Sequence, residues 1–411
     1  MNILLINHYA GSIHHGMEFR PFYMAREWVR AGHNVQIVAA SCSHVRQRPP
    51  VLDGEKSSDE NISGIHYRWY KTPAYQGNGV RRVWNILKFL QALWCDGKRL
   101  AQDFRPDVVI ASSTYPMDIW PAQYIARLAK ARLVYEVHDL WPLSPIELGG
   151  MSRWNPFILW VQCAEDYAYR NADKVVSMLP KAKAYMQSRG MASEKFFHVP
   201  NGVDEEEWTQ KAALPVAVAE EVKGLQAKNL PIVAYTGAHG VANALDALLD
   251  AAGQLNGKAQ ILLVGHGAER ERLLSRVRNE KLNNVTMLPS IPKNAIPNLL
   301  GMVDILYIGI GSKNNSLFRF GISPNKLMDY MMAGKPIINA VDAGNDPVAD
   351  ARCGLTIPPG DAKSIVDAVI NISEMPDDER IQMGQAGRGF ILKHHTYRVL
   401  AKRFLDIASH G

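Results

Sequence analysis

Ile232-Val233-Ala234-Tyr235-Thr236-Gly237-Ala238-His239-Gly240 is an apolar run that stops at a glycine turn, and a helix-period segment over residues 242–252 follows it. A short apolar run bounded by turn residues reads as a strand buried on both faces, the kind found in parallel sheets covered by helices. The same phrase recurs downstream. Residues 260–264 run into Gly265-His266-Gly267-Ala268-Glu269 and a helical stretch over 269–280, and further apolar runs lie at 285–288, 304–308 and 336–340. Upstream, runs at 2–7, 34–39, 107–112, 133–137, 174–178 and 196–199 alternate with helical segments in the same way. This alternation predicts an α/β fold of two Rossmann-like units, each a parallel sheet with helices on both faces.

Between the halves, Val199-Pro200-Asn201-Gly202-Val203-Asp204 is rich in turn formers, and an Ala/Val/Glu segment over 212–228 follows it. The hinge is expected near 200–212. The expected domains are 1–205 and 206–395, with a last helical pattern at 396–411 returning to the first. A length of 411 residues suits two such domains, at roughly 150 residues or somewhat more apiece.

Four scattered cysteines, Cys42, Cys95, Cys163 and Cys353, fit neither a zinc-knuckle spacing nor a disulfide framework, which points to a reducing compartment. No apolar run approaches the roughly 20 residues that span a bilayer, and residues 1–7 lack a basic leader. The expected location is cytoplasmic, with any membrane contact peripheral. A net charge of +6 suits an anionic partner as well as it suits plain solubility. Nucleic acid is not an expected partner, because no zinc-finger spacing, ribonucleoprotein motif or dense Lys/Arg tract is present.

In open α/β sheets ligands bind outside the carboxyl ends of the strands, where glycines let backbone amides approach them. The first strand leads into His8-Tyr9-Ala10-Gly11-Ser12-Ile13-His14-His15-Gly16 and a helix carrying Arg20 and Arg26, so His14, His15, Gly16 and Arg20 are candidates. The fourth strand ends in Glu136-Val137-His138-Asp139-Leu140-Trp141-Pro142. His138 there can hydrogen-bond a ligand hydroxyl or a leaving-group oxygen, against the plainer reading of a structural imidazole. Asp139 taken alone reads as a helix cap.

In the second half, Gly237, His239 and Gly240 stand where a strand gives way to a helix, whose positive end can receive phosphate. Gly265 and Gly267 repeat the arrangement, with room for a nucleobase or ribose. The most informative stretch is Gly321-Ile322-Ser323-Pro324-Asn325-Lys326-Leu327-Met328-Asp329-Tyr330-Met331-Met332-Ala333-Gly334-Lys335-Pro336, a loop, a helix and the entry to a strand. Lys326 and Asp329 are three apart and share a helix face. Lys326 can meet a diphosphate while Asp329 accepts from ribose hydroxyls, with Ser323, Pro324 and Asn325 shaping the loop; an exposed ion pair is the alternative.

These motifs, with residues 20–33, 136–142, 200–204 and 265–269, resemble glycosyltransferase family 4, the retaining GT-B enzymes, and within it the bacterial surface-polysaccharide and amino-sugar transferases. The resemblance implies two Rossmann-like domains facing each other across a cleft, and a UDP-sugar donor carrying an N-acetylated hexosamine or deoxyhexosamine. It also implies retention of anomeric configuration and no cofactor or metal, consistent with the absence of an Asp-x-Asp motif. In the family the nucleotide motif has two glutamates separated by seven residues. Here Asp329 fills the second position and Gly321 the first, so the acid near the donor sugar is missing, and 237–246 lacks the Arg/Lys pair that often holds the diphosphate. Lys326, the amides of 323–326 and Gly240 are left to neutralise that charge, with Arg20 or Lys313 as further cations. His138 matches the family histidine that contacts the donor sugar.

On the acceptor side, residues 83–94 place Val83, Ile86, Leu87, Leu90, Leu93 and Trp94 on one helical face between basic flanks, which suits an anionic membrane surface or, equally, a helix packed on the sheet. Residues 154–160 are a second aromatic tract. The expected acceptor is a polyprenyl-diphosphate-linked or other saccharide, used in O-antigen, capsule or exopolysaccharide assembly at the inner face of the cytoplasmic membrane. A GT-B nucleotide-sugar 2-epimerase and a catalytically inactive nucleotide-sugar-binding scaffold are the alternatives.

Overall fold

The computed structural model describes residues 1–77, 79–310 and 316–409. Lys313 lies outside the described residues. The chain forms two compact units, one of Met1–Asn201 plus the segment from Tyr397, the other of Gly202–Thr396.

The first unit holds β1 (Asn2–Ile6), β2 (Asn34–Ala40), β3 (Ser57–Ile62), β4 (Ile65–Tyr70), β5 (Val108–Ala111), β6 (Arg132–Val137), β7 (Lys174–Ser177) and β8 (Phe196–His198). They form one sheet in the order β3-β4-β2-β1-β5-β6-β7-β8. All neighbours are parallel except β3 with β4. The order reverses direction between β1 and β5, so their carboxyl ends flank the crevice where such sheets bind ligands. β1 is buried along Ile3–Ile6, as its unbroken apolar run requires.

The hairpin β3–β4 escaped the apolar-run pattern. Its outer strand reads Ser-Ser-Asp-Glu-Asn-Ile and has one strand neighbour, so alternation and burial are weak there. Ser63 and Gly64 both take positive φ, the two-residue turn that matches strand twist, and Ile62 pairs with Ile65.

The C-terminal helix Tyr397–Ser409 packs in the first unit against the helix Arg20–Arg30. Tyr397 stacks on Tyr23, Phe404 packs against Trp28, and the Trp28 indole donates to the Ala401 carbonyl at 3.0 Å. Leu400, Ala401 and Phe404 join the same core as β1 and β2.

The second unit holds β9 (Ile232–Thr236), β10 (Gln260–Val264), β11 (Val285–Leu288), β12 (Ile305–Ile310), β13 (Ile337–Val341) and β14 (Gly354–Ile357). The sheet runs β11-β10-β9-β12-β13-β14 and every pairing is parallel. This is the doubly wound order, with its switch point between β9 and β12. β14 is short and at the edge, which kept it out of the sequence reading. Two apolar cores lie on the two faces of this sheet, one with the helix Asn325–Ala333 and the other with Leu245–Gln254.

If the C-terminal helix completes the first core, Phe404→Ala should cost about 3–5 kcal/mol. Urea unfolding checks this through the midpoint at constant slope, and a change under ~1 kcal/mol would remove the helix from the core's energetics.

Candidate active site

In the first unit the site is built on a buried charge pair. Glu136 belongs to β6, and its side chain is sealed from water. Arg20, at the start of its helix, gives Glu136 Oε1 two hydrogen bonds at 2.9 and 3.1 Å. The same guanidinium donates to the carbonyls of Val199 and Pro200, at 2.9 and 2.5 Å. Arg20 was expected to be available to an anion. It is instead consumed internally, because a buried guanidinium must place all its donors on fixed acceptors.

The other carboxylate oxygen of Glu136 accepts from Ser112 Oγ at 2.6 Å and lies 3.3 Å from His138 Nε2. His138 Nε2 is also 2.9 Å from Ser112 Oγ. Ser112 has one proton and gives it to Glu136, so its oxygen accepts from Nε2–H and Nδ1 is left as the acceptor nitrogen. Burial pushes the Glu136 carboxyl up, but Arg20, His138 and Ser112 more than reverse this and hold it well below the usual carboxylate range. His138 is thus a hydrogen-bonding group fixed in place by the Glu136 carboxylate and the Ser112 hydroxyl beneath it.

A second buried carboxyl, Asp118, accepts from the Ser113 amide at 3.0 Å, and burial raises its pKa to about 7, with the field of His138 opposing. Asp139 binds the Leu140 amide and the Ser144 hydroxyl, at 2.9 and 2.7 Å, so it ties down the turn after His138.

The loop after β1 does not offer its glycine to a phosphate. The amides of Gly11, Ser12, His15 and Gly16 all donate within the loop. A Cβ on Gly11 would sit 1.8 Å from the Gly16 carbonyl, so the loop closes on itself. His15 was expected to meet a ligand, yet its ring bridges the Arg48 carbonyl and Glu60, at 2.8 and 2.9 Å. His14 stays exposed.

In the second unit two glycine loops lie against each other at the ends of β9 and β10. A Cβ on Gly265 would stand 1.8 Å from the Gly237 carbonyl, and one on Gly267 2.3 Å from that of His239. The Gly237 and His239 amides, expected to face phosphate, donate to Val264 and His266 carbonyls. Gly240 precedes a short 3-10 turn, and the α-helix begins only at Leu245. His239 is fully buried, neither ring nitrogen has a protein partner among the described residues, and burial with the charges of Arg270 and Lys326 lowers its pKa to about 4.

Lys326 enters from the first turn of the helix Asn325–Ala333, behind Ser323 and Pro324. One turn on, Tyr330 accepts from the Thr236 amide at 2.7 Å and pins this helix face to the end of β9. Lys326 Nζ therefore reaches Tyr235 Oη at 2.6 Å and Asn243 Oδ1 at 2.9 Å, lies over the Tyr235 ring, and is 3.1 Å from where a Gly237 side chain would begin. Both partners are neutral. Burial lowers the ammonium pKa to about 7. Asp329 has other surroundings: burial raises it to about 7, with Lys293, Glu207 and Trp208 nearby. The shared helix face thus leads its two charges to different neighbours.

The sequence reading missed Glu136, Ser112, Tyr235 and Asn243 as parts of the site. Glu136 carried a signal: a lone acid inside an apolar parallel strand, two residues before His138 and therefore on the same strand face. Among the described residues, no group of three or more His, Cys, Asp or Glu side chains is placed to hold a metal ion.

The two doubly wound units, with their ligand loops at the strand ends, define a GT-B-type α/β protein. The sequence matches two families, described as a Glycosyl transferase 4-like domain over residues 15–202 and as Glycosyl transferases group 1 over 230–375. The chain belongs to glycosyltransferase family 4. It is 23% identical over 298 residues, 68% of this chain and 69% of the relative, to WcaI of Escherichia coli (strain K12), described as a glycosyl transferase for colanic acid biosynthesis. In fold it is similar to sucrose-phosphate synthase from Thermosynechococcus elongatus (TM-score 0.72, 18% identity, 98% of this chain and 97% of that one). It is also similar to Anabaena Alr3699/HepE in complex with UDP (0.71, 14%, 100% of both), and to WaaG, a glycosyltransferase involved in lipopolysaccharide biosynthesis (0.63, 14%, 100% of both).

Glu136→Gln should destabilise the protein by about 3–5 kcal/mol at pH 7, because it strands the Arg20 guanidinium without a counter-charge. Folding lowers the Glu136 pKa, so its contribution is complete above the ordinary value of 4.5 and is lost as pH falls through the folded value. The wild-type advantage should therefore shrink towards pH 3, and urea titrations at both pH values that show an equal gap would contradict the pairing.

Proposed function

We propose that this glycosyltransferase moves a sugar, an N-acetylated hexosamine or deoxyhexosamine, from a UDP-sugar to a polyprenyl-diphosphate-linked saccharide during bacterial surface-polysaccharide assembly, with retention of configuration and without a metal. The observation that carries the reading is Lys326, a half-buried ammonium with two neutral partners at the start of a helix beside a glycine turn. Such a group is stabilised by an arriving diphosphate. Asp329 is assigned to the ribose, and Ser323, Asn325, Gly240, Gly265 and Gly267 to the walls of the nucleotide site. His138 is assigned to the donor sugar, with Nδ1 accepting from a hydroxyl. Departure of the nucleotide is eased by Lys326 and helix-end amides in place of a cation, and the leaving oxygen takes the acceptor's proton on the same face.

The acceptor assignment rests on the helix Val80–Arg99. Ile86, Phe89, Leu90 and Leu93 are buried, whereas Trp84 and Trp94 are 52% and 47% exposed and Leu87 is exposed beside them. Lys88 lies over the Trp84 ring, and Arg81 adds charge nearby. Trp154, before the helix Pro156–Asn171, is 82% exposed. An exposed aromatic and basic face suits the headgroup level of an anionic bilayer. Among the described residues no helix is long and apolar enough to cross a membrane.

The test is incubation with UDP-sugars in chelator, with and without a prenyl-diphosphate-linked monosaccharide, followed by mass and NMR analysis. The expected result is a disaccharide with the donor's anomeric configuration. A free 2-epimer formed without acceptor would establish an epimerase, and nucleotide binding without any turnover a scaffold. His138→Ala should lower kcat by ~10²-fold or more with unchanged UDP affinity, the scale of one lost transition-state hydrogen bond.

Lys326 gives a pH signature. Its folded pKa of about 7 lies below the ordinary 10.5, so the unfolded chain binds more protons across that window and the unliganded protein gains stability as pH rises. Binding UDP requires the protonated form, so affinity should fall from about pH 7 upwards with proton uptake. Calorimetry in buffers of different ionisation enthalpy reads this, and Lys326→Met should remove the alkaline fall in affinity, leaving the opposite dependence that belongs to Asp329.

A further inference from the structure

The carboxyl ends of β1 and β2 and the buried face of the helix Val80–Arg99 enclose a second unpaired positive charge, unused by the donor machinery. Arg46 donates through Nη2 to the Ala40 carbonyl at 2.9 Å and lies over the Trp69 ring, but its Nε and Nη1 are shielded from solvent and have no protein acceptor among the described residues. Burial lowers its pKa to about 10, and the groups offsetting this are two tyrosines and a cysteine, with no carboxylate. His8, fully buried, contacts Tyr115 through Nδ1 at 2.7 Å and has the Asn85 side chain as a further hydrogen-bonding neighbour. Its pKa falls to about 3 through burial and the field of Arg46, with Asn85 opposing and Arg82 and His44 adding smaller contributions, so the ring is neutral.

The cluster is physically connected. Arg82 donates to Tyr9 Oη at 3.1 Å, the Tyr9 ring packs on both His8 and His44, and His44 Nδ1 meets Tyr75 Oη at 2.8 Å. Ser43 Oγ, buried close by in sequence, also lacks a partner. A shielded guanidinium such as that of Arg46, with two nitrogens lacking an acceptor among the described residues, is costly unless an anion meets it. His8 follows β1 and meets Tyr115 beyond β5, so the cluster borders the switch point of the first sheet, the usual ligand crevice. Arg82 also lies over Trp141, in the loop that follows His138. The helix that carries Arg82 presents Trp84 and Leu87 to solvent two and five residues further on.

We propose that Arg46, Arg82, His44 and His8 bind the diphosphate of the prenyl-linked acceptor, a site in the first unit separate from the nucleotide site. The inference rests on the acceptor reading above. Prenyl diphosphate is held by charge-assisted hydrogen bonds from Arg46 and Arg82, with its chain leaving along the exposed aromatic face. His44, which is exposed, stands at the rim.

The experiment titrates the full chain, saturated with UDP, with a short prenyl diphosphate, inorganic pyrophosphate, inorganic phosphate, the matching prenol, and phosphatidylglycerol vesicles. The prenyl diphosphate should bind most tightly and pyrophosphate should compete with it. Arg46→Gln should weaken both about tenfold or more, and His44→Gln should weaken both measurably, with UDP affinity unchanged. Should Arg46→Gln fail to fold, His44→Gln on the rim decides the matter. Unchanged prenyl diphosphate binding in the variants overturns the proposal. So does equal affinity for free phosphate or for the vesicles, which would make the cluster a free-anion or headgroup site. Failure of the transferase reading shows separately, as loss of UDP binding or of sugar transfer in the wild type.

Discussion

The first unit depends on one buried ion pair, Arg20 with Glu136. A carboxylate this deep in a parallel sheet is tolerable only where its lone pairs are matched, and the guanidinium, Ser112 and His138 supply the match. The pair also joins three separate parts of the chain: the first helix, β6, and the turn after β8 through Val199 and Pro200. An imidazole resting on a fixed anion keeps its tautomer and its position. The chemistry assigned to His138 is therefore prepared by residues that never meet a substrate.

The second unit follows the opposite rule. Lys326 is half-buried with neutral partners, and its helix is anchored through Tyr330 and the core residues Leu327, Met328 and Met331 rather than through its charge. The glycine loops around it are so close that side chains at Gly265 and Gly267 would collide with backbone. Arg20 thus meets a carboxylate and backbone carbonyls, whereas Lys326 meets only a phenol and an amide oxygen.

Much of this was legible in the sequence, for identifiable reasons. Continuous apolar runs such as 232–236 and 260–264 are required wherever a strand is covered on both faces, so the parallel strands declared themselves. The hairpin β3–β4 did not, since its edge strand is polar; the Ser63-Gly64 turn between Ile62 and Ile65 was the available clue. Of the site, His138 and Lys326 stood out because strand ends and helix starts are marked by local chemistry. The fates of Arg20 and His15 were hidden, because their partners Glu136 and Glu60 are distant in sequence, and spacing says nothing about which cation meets which acid. The glycine amides misled for a related reason: Gly265 and Gly11 let the backbones of Gly237 and Gly16 approach closely, and that same closeness uses up the N–H groups of Gly237 and Gly16.

The helix Tyr397–Ser409 belongs to the core of the first unit although the whole of the second unit precedes it in the chain. During vectorial synthesis on the ribosome, Trp28, Tyr23 and the sheet face beneath them must wait, uncovered, while nearly two hundred further residues are made. The later-encoded unit is topologically whole before the earlier one. The nascent chain thus carries an apolar face that a chaperone would find, and the synthesis and docking of the helix Tyr397–Ser409, rather than the completion of either sheet, is the event that closes it.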